Sequence, residues 1–169
     1  MQITRKWAMP NSKTFTIKPI KELIEKHING VDIIVDPFAN VSKLATVTND
    51  LNTQYDTDYH LDALEFLKMF DDKSVDVVLY DPPYSLVQLK TCYKELDKSA
   101  NFETTNQSYW DNIKQEMYRI VKPNGKVLSF GWCSEGVGDK YGFNTEEILI
   151  VPHGGWHNDT ICVVDVKNN

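Results

Sequence analysis

Short apolar runs alternate with segments of helical periodicity along most of the chain. The runs are bounded by glycine, proline, asparagine or aspartate, a pattern typical of buried strands. They predict strands at 31–36, 45–50, 75–81, 126–132, 146–152 and 160–166. Apolar residues three and four positions apart predict helices at 17–28, 61–69 and 108–121.

This alternation predicts an α/β fold with a mostly parallel sheet covered on both faces. The last two strands are close together in the sequence, so we expect them to form an antiparallel edge. Residues 37–44 offer too few positions for a full parallel crossover, which normally needs a dozen or more, and the first crossover helix is therefore expected to be reduced to about a turn. The polar segment 91–108 is expected to be a mobile loop or a loop with a short helix.

A chain of 169 residues suits one domain, and no internal repeat or linker divides it. We therefore expect a single domain over 1–169. With 41% hydrophobic and 25% charged residues, the chain as a whole is neither disordered nor a coiled coil. We expect a cytoplasmic protein without a membrane span, because no apolar run approaches about 20 residues and the first residues lack the apolar core of a signal peptide.

The cysteines and the net charge narrow the function only slightly. Cys92, Cys133 and Cys162 are widely spaced and form no CxxC pair, which argues against a disulfide framework and a structural zinc site. The net charge is −6, whereas an autonomous nucleic-acid binder usually carries a basic face. Nucleic-acid binding would therefore depend on a local basic patch.

Four aspartates lie at or just after predicted strand ends. They are Asp36, Asp50, Asp62 and Asp81. Each alone is typical of a turn or a helix N-cap. Ligands of open α/β sheets bind beyond the carboxyl ends of the strands, so four such residues in series favour the rim of a nucleoside pocket. There, carboxylates accept hydrogen bonds from ribose hydroxyls and from the adenine amine.

The most specific motif is Asp81-Pro82-Pro83-Tyr84, which directly follows a clean apolar strand. The two prolines hold the chain extended and remove two backbone donors. A carboxylate and a proline carbonyl can then face one small polar group, while the tyrosine ring offers a flat face to a base. The exocyclic amine of a nucleobase fits this arrangement, which would catalyse by positioning and electrostatics. The alternative is a proline turn that ends a strand.

Three other segments accompany this motif. They are RKWAMPNSKTF at 5–15, Asp36-Pro37-Phe38-Ala39 after the first predicted strand, and Asp62-Ala63 within HLDALEFL. In this order, and over nearly the whole chain, they resemble the S-adenosylmethionine-dependent amino methyltransferases of the DNA adenine type. The chain is most similar to the short proteins of this kind in phages and mobile elements.

The resemblance implies a Rossmann-like class I methyltransferase domain that methylates the N6 amine of adenine in DNA. It implies catalytic roles for Asp81, Pro82, Pro83 and Tyr84. It implies S-adenosylmethionine as the cofactor, with Asp50 at the donor ribose and Asp62 near the donor adenine. The residues expected to bind the donor are Trp7, Ala8, Met9, Asp36, Pro37, Phe38, Asn40, Asp50, Asp62 and Ala63.

The chain departs from the family pattern in two ways. Asn40-Val41-Ser42 stands where the first motif usually continues Gly-x-Gly, and Asn40 is expected to substitute through its side chain. No separate target-recognition domain is evident, because only 85–107 and 134–145 are candidate inserts. The acceptor therefore stays open between DNA adenine, RNA, a free nucleotide and cytosine N4. A non-catalytic binding subunit, a homodimer and a separate recognition subunit also remain alternatives.

The loop between the last two predicted strands contains His153, Trp156, His157 and Asn158. It is either a hairpin loop, or a wall of the base pocket or a DNA-contacting loop formed by Trp156, His157 and Asn158. Trp132, at the end of the preceding strand, either packs in the core or contacts the target base. No metal is expected, because no third ligand is evident and amine methylation needs none.

Overall fold

One seven-stranded mixed sheet organises the computed structural model, which describes residues 1–83 and 107–169. The strands are β1 (Gln2–Arg5), β2 (Ile34–Asp36), β3 (Val47–Thr48), β4 (Val75–Tyr80), β5 (Val121–Gly131), β6 (Phe143–Val151) and β7 (Thr160–Lys167). The α-helices are α1 (Lys18–Ile28), α2 (Ala63–Lys68) and α3 (Gln107–Ile120). Two short 3-10 turns lie at Thr14–Thr16 and Asp139–Tyr141.

The strand order is β1-β6-β7-β5-β4-β2-β3. Neighbouring strands are parallel except at β7, which is antiparallel to both β5 and β6. The first six strands of the chain therefore all end at the same side of the sheet, which we call the carboxyl edge. Because loops that leave this edge start from neighbouring strands, their residues are brought together there.

The expected fold class is confirmed, with one change at the edge of the sheet. The antiparallel pair β6 and β7 is present, but β1 pairs in parallel with the outer side of β6 and becomes the edge strand. No strand was predicted at β1, because its only apolar residue besides the preceding Met1 is Ile3, which is exposed. Residues 37–46 contain no helix, which confirms the reduced first crossover.

Apolar side chains cover both faces of the sheet, as the alternating pattern predicted. On one face α1 packs through Ile20 and Ile24, which are fully buried. Pro19 lies in the first turn of α1, where its missing N–H costs nothing. On the other face α2 and α3 bury Phe66 and Met117 among their contacts. With both faces filled, the carboxyl edge is left to the loops.

Within residues 1–83 and 107–169, no helix has both the length and the apolar character that a bilayer-spanning segment requires. The segment predicted as a polar loop at 91–108 falls almost wholly outside these ranges. Its last two residues belong to α3.

Candidate functional site

Asp36 ends β2 at the carboxyl edge, and its side chain is completely buried. Its Oδ1 atom accepts a hydrogen bond from the backbone N–H of Phe38 at 3.0 Å. Its Oδ2 atom is buried without a hydrogen-bond partner among the described residues. Burial raises the pKa of Asp36 well above its usual range, and the negative charges of Asp81 and Asp50 raise it further. The carboxyl group therefore has a vacant acceptor position at a place where a hydrogen-bond donor or a cation would be stabilised.

Asp50 fixes the loop that follows β2. Its Oδ2 atom accepts from the N–H of Asn40 at 2.9 Å, and its Oδ1 atom accepts from the N–H of Asn52 at 2.9 Å. Burial raises the pKa of Asp50, although these two hydrogen bonds act in the opposite direction. Asn40 has a φ of 50°, a left-handed conformation that asparagine tolerates better than most residues. The loop without the glycine pair is thus held in a defined shape by a carboxylate.

Asn49, which the sequence analysis did not single out, joins three segments of the site. Its buried side-chain amide donates to the carbonyl oxygens of Pro37 at 3.1 Å and Leu61 at 3.0 Å. Its Oδ1 atom accepts from the N–H of Leu61 at 2.9 Å. The only sequence signal was an asparagine, a poor strand former, at the end of a predicted strand. Asn49 therefore positions both the loop after β2 and the approach to α2.

A cleft with a volume of about 320 Å³ opens at the carboxyl edge beside Asp81. Its walls come from the N-terminal segment, from the loop after β2 and from the residue after β4. The lining residues are Lys13, Phe15, Thr16, Lys21, Phe38, Ala39, Asn40, Val41, Ser42, Lys43, Leu44 and Asp81. Phe38 also lies in an aromatic group with Tyr80 and Trp110, at ring-centroid distances of 6.0 and 6.5 Å.

The structure thus brings together four residues that the sequence analysis selected: Asp36, Asp50, Asn40 and Asp81. The first two interact electrostatically, as do Asp36 and Asp81. Pro37 is buried directly after Asp36, and Pro82 and Pro83 follow Asp81 as partly exposed residues. The prediction for Tyr84 lies outside the described residues.

Asp62 and Ala63 begin α2, and their observed contacts are structural. The Oδ1 atom of Asp62 caps the helix by accepting from the N–H of Leu64 at 2.9 Å, and its Oδ2 atom accepts from the hydroxyl of Tyr109 at 2.8 Å. Ala63 is buried in the core under α2. Neither residue lines the cleft, so their predicted contact with a donor adenine stays a prediction.

Trp7, Ala8 and Met9 lie beyond the end of β1 and do not line the cleft. The N–H of Ala8 donates to the carbonyl of Pro152 at 3.2 Å, and its carbonyl is 2.9 Å from Nδ1 of His153. These contacts hold the segment against the loop after β6, toward the opposite side of the sheet from β2. Trp7 and Met9 are 64% and 67% exposed. The N-terminal residues that do reach the cleft are Lys13, Phe15 and Thr16.

The four residues predicted to contact the substrate all lie at the surface of the carboxyl edge. Trp132 follows β5 and is 43% exposed, so it is not a core residue. Trp156, His157 and Asn158 are exposed in the loop between β6 and β7. Among the described residues, no group of three or more histidine, cysteine, aspartate and glutamate side chains is arranged to hold a metal ion.

No protein-family model matches the chain. One stretch is similar to the type II methyltransferase M.HpaI of Haemophilus parainfluenzae, with 31% identity over 68 residues. That stretch is 40% of this chain and only 20% of the length of M.HpaI.

Solved structures with a similar fold include the following two. The Burkholderia thailandensis 1,6-didemethyltoxoflavin-N1-methyltransferase, with bound 1,6-didemethyltoxoflavin and S-adenosylhomocysteine, aligns with a TM-score of 0.60 at 9% identity. The alignment covers 90% of this chain and 78% of that one. TrmN from Thermus thermophilus aligns with a TM-score of 0.55 at 15% identity, over 89% of this chain and 49% of that one. The chain therefore has a Rossmann-like α/β fold that known methyltransferases also have.

Proposed function

We propose that this chain transfers a methyl group from S-adenosylmethionine to the exocyclic N6 amine of adenine in DNA. The observation that carries the proposal is the position of Asp81. It begins the Asp81-Pro82-Pro83 sequence at the carboxyl end of β4, lines the cleft, and lies within electrostatic range of the buried Asp36. The methyltransferase fold and the partial similarity to M.HpaI support the same chemistry.

The residues in and beside the cleft fit this donor. Phe38 and Asn40 line the cleft, and Asp36 and Asp50, which do not line it, are hydrogen-bonded to the backbone of these two residues. S-adenosylmethionine supplies an electrophilic methyl group on a positively charged sulfonium, together with an ammonium group and ribose hydroxyls. Asp36 has a buried Oδ2 atom without a hydrogen-bond partner in the described part of the chain, and Asp50 adds a second carboxylate nearby. Carboxylates stabilise a cation and accept hydrogen bonds from hydroxyls, so Asp36 and Asp50 would hold the donor beside Phe38 and Asn40.

The acceptor amine would be held by the residues after β4. The carboxylate of Asp81 and the carbonyl of Pro82 are two acceptors for the two amine hydrogens, and Tyr84 would stack on the base. These contacts orient the nitrogen lone pair and confine the amine, which lowers the barrier through positioning. A base in a duplex must first leave the stack, at a cost of a few kcal/mol. The proton that the nitrogen loses as it is methylated passes to Asp81 or to water.

Methyl transfer by the Asp81→Ala variant tests the proposal. The protein is incubated with radiolabelled S-adenosylmethionine and DNA, and the labelled nucleoside is identified by mass. We expect label in N6-methyladenine with the wild type and its loss in Asp81→Ala, while donor binding measured by calorimetry is retained. Asp32→Ala is the matched control, because Asp32 is exposed before β2, at the opposite end of the sheet. Normal methylation by Asp81→Ala would contradict the mechanism.

The same assay distinguishes the other acceptors. Duplex DNA, single-stranded DNA, RNA and free nucleotides are offered in parallel. Label in N4-methylcytosine, in RNA or in a nucleotide would replace the acceptor and leave the donor chemistry intact. Absence of label from all acceptors, together with absence of donor binding at millimolar concentration, would favour a non-catalytic binding subunit.

A further inference from the structure

The N-terminal segment carries a concentration of positive charge on an acidic protein. Residues 1–21 contain five lysine and arginine residues and no aspartate or glutamate, although the net charge of the chain is −6. Arg5 and Lys13 form no salt bridge with any residue that the structure describes, whereas Lys6 pairs with Glu22 at 3.2 Å. After β1 this segment crosses the carboxyl edge, and Lys13 and Lys21 reach the cleft beside Asp81. A basic path therefore leads along the edge to the proposed reaction site.

Exposed aromatic side chains stand along the same path. Trp156 is fully exposed and Trp7 is 64% exposed. The two belong to segments that are bonded together, because Ala8 is hydrogen-bonded to Pro152 and to His153. The indole Nε1 atom of Trp7 lies 3.6 Å from the position that a Cβ atom would take at Gly154. The second nitrogen of His153 is 2.8 Å from Thr160 Oγ1, which anchors the loop to β7.

We infer that this path, defined by Arg5, Trp7, Lys13 and Trp156, binds single-stranded DNA. The inference rests on the proposed function, which places the reacting base at Asp81. Four strand spacings of about 4.8 Å separate β1 from β4, about 19 Å in all, which several nucleotides span. Arg5 and Lys13 would contact phosphates, and the two indole rings would stack on flanking bases. This combination of basic residues and aromatic rings is typical of proteins that bind single strands.

Single strands fit the path better than either a duplex or a second copy of the chain. The indole rings can stack only on bases whose faces are free, and a single strand also spares the cost of unpairing the target. A twofold dimer through this path would bring the same patch of each copy together. It would therefore oppose Arg5 and Lys13 to their own equivalents, which is unfavourable.

Fluorescence anisotropy of a labelled oligonucleotide tests the inference. The same adenine-containing sequence is used as a single strand and as a duplex, without donor. We expect tighter binding of the single strand, and about tenfold weaker binding in Trp7→Ala and in Trp156→Ala. Lys13→Gln should lower the slope of log affinity against log salt by about 0.7.

Two controls accompany these variants. Met69→Ala removes an apolar side chain that is 52% exposed at the end of α2, away from the carboxyl edge, and Lys73→Gln removes a positive charge just before β4. Both should bind DNA as the wild type does. Equal affinity for single strand and duplex, or unchanged binding by both tryptophan variants, would overturn the inference. So would a dimer, detected by sedimentation, that Trp156→Ala dissociates without weakening DNA binding.

Methyl transfer, measured separately on the same oligonucleotides, distinguishes this inference from the proposed function. Tryptophan-dependent binding of the single strand without methyl transfer would support the binding path and contradict the proposed activity. Methylation of the single strand at wild-type rates by Trp7→Ala and Trp156→Ala, at subsaturating oligonucleotide, would support the activity and overturn the binding path.

Discussion

Replacement of Asp36 by asparagine is expected to stabilise the ligand-free protein near neutral pH. Burial deprives the ionised form of this carboxyl group of its hydration, and it gains only one hydrogen bond, from Phe38, while its Oδ2 atom has no partner among the described residues. Asparagine has nearly the same volume, keeps an oxygen that can accept from Phe38, and carries no charge. The substitution therefore removes an electrostatic cost and leaves the packing almost unchanged.

The sign of the pH dependence follows from the direction of the pKa shift. Burial raises the pKa of Asp36, so the folded chain binds this proton more tightly than the unfolded chain does. The stability contributed by this group therefore falls as pH rises above the ordinary aspartate pKa of about 4. The advantage of Asp36→Asn should be largest at about pH 8 and should shrink toward about pH 4, where Asp36 is protonated in both states.

The amide group that replaces Oδ2 is still a buried polar group, so the gain comes from removal of the charge alone. Each unit by which the pKa is raised corresponds to about 1.4 kcal/mol, and a gain of about 1–3 kcal/mol is expected. In a chain of this length each kcal/mol of stability shifts Tm by about 2–4 °C, so the Tm of Asp36→Asn should be about 2–12 °C higher than that of the wild type. Thermal unfolding followed by circular dichroism, without donor, measures it. The same variant should lose donor affinity in calorimetry, because the vacant acceptor is gone.

Asp76→Asn is the matched control and should have the opposite effect. Burial alone would raise the pKa of Asp76, but hydrogen bonds from Lys122 at 2.7 Å and from the N–H of Ile33 at 2.9 Å lower it. Neutralising Asp76 therefore removes a favourable pair, and Asp76→Asn should unfold at a lower temperature than the wild type. If Asp36→Asn is also less stable than the wild type at about pH 8, Asp36 is stabilised by a partner and the reasoning is refuted.

Three further predictions follow from other contacts. Gly136→Ala should destabilise the protein by about 1–3 kcal/mol, because a Cβ atom would lie 2.2 Å from Asp165 Oδ2 and φ at this position is 59°. Urea unfolding measures the loss of stability, and Gly138→Ala, where the nearest atom to a Cβ would be 3.7 Å away, should lose less stability. Lys167→Met should lower the free energy of unfolding by about 1–3 kcal/mol in the same assay, because the buried ammonium group donates to two carbonyls where α3 meets β5. If the variant unfolds at the same urea concentration as the wild type, these hydrogen bonds contribute nothing to stability. Donor affinity should rise with pH as Asp36 ionises, and calorimetry in buffers of different ionisation enthalpy should detect proton release that Asp36→Asn abolishes.

The pattern of apolar residues was sufficient for elements that bury side chains. The run at 75–81 became β4 because Val75, Val77, Val78 and Leu79 are all buried between the two helical layers. β1 was not predictable in this way. Its side chains are mostly exposed, and it is held by main-chain pairing with β6, from Gln2 opposite Glu147 to Arg5 opposite Ile150. That pairing depends on a partner far along the chain.

In the candidate site too, some features could be predicted from the sequence and others depend on contacts with distant residues. Asp36, Asp50 and Asp81 could be predicted to lie together, because all three lie at or just after the ends of parallel strands that end at one edge. The side-chain partners could not be predicted, because they come from distant residues. Asp62, for example, is bonded to Tyr109, which lies 47 positions away.

The N-terminal segment gives a second case. Its likeness to a family motif placed Trp7 at the donor. The main-chain contacts of residues 6–8 with 150–152 place Trp7 beyond β1 and outside the lining of the cleft, and its predicted contact with the donor stays a prediction. The order of motifs along the sequence identified the N-terminal segment as part of the site, but long-range hydrogen bonds determine which of its residues reach the cleft.

The loop after β2 determines what kind of donor recognition the proposed function requires. In place of a glycine pair, Asn40 holds a left-handed conformation and its N–H is already bonded to Asp50. That N–H is therefore committed to the fold, whereas Oδ2 of Asp36 is buried without a hydrogen-bond partner among the described residues. Recognition through carboxylates acts on the charge of a ligand and becomes weaker when the carboxylate is protonated. Donor affinity in this chain should accordingly depend more on the ionisation of Asp36 than on close approach of the backbone, and the instability caused by Asp36 in the empty protein is relieved when a cation binds beside it.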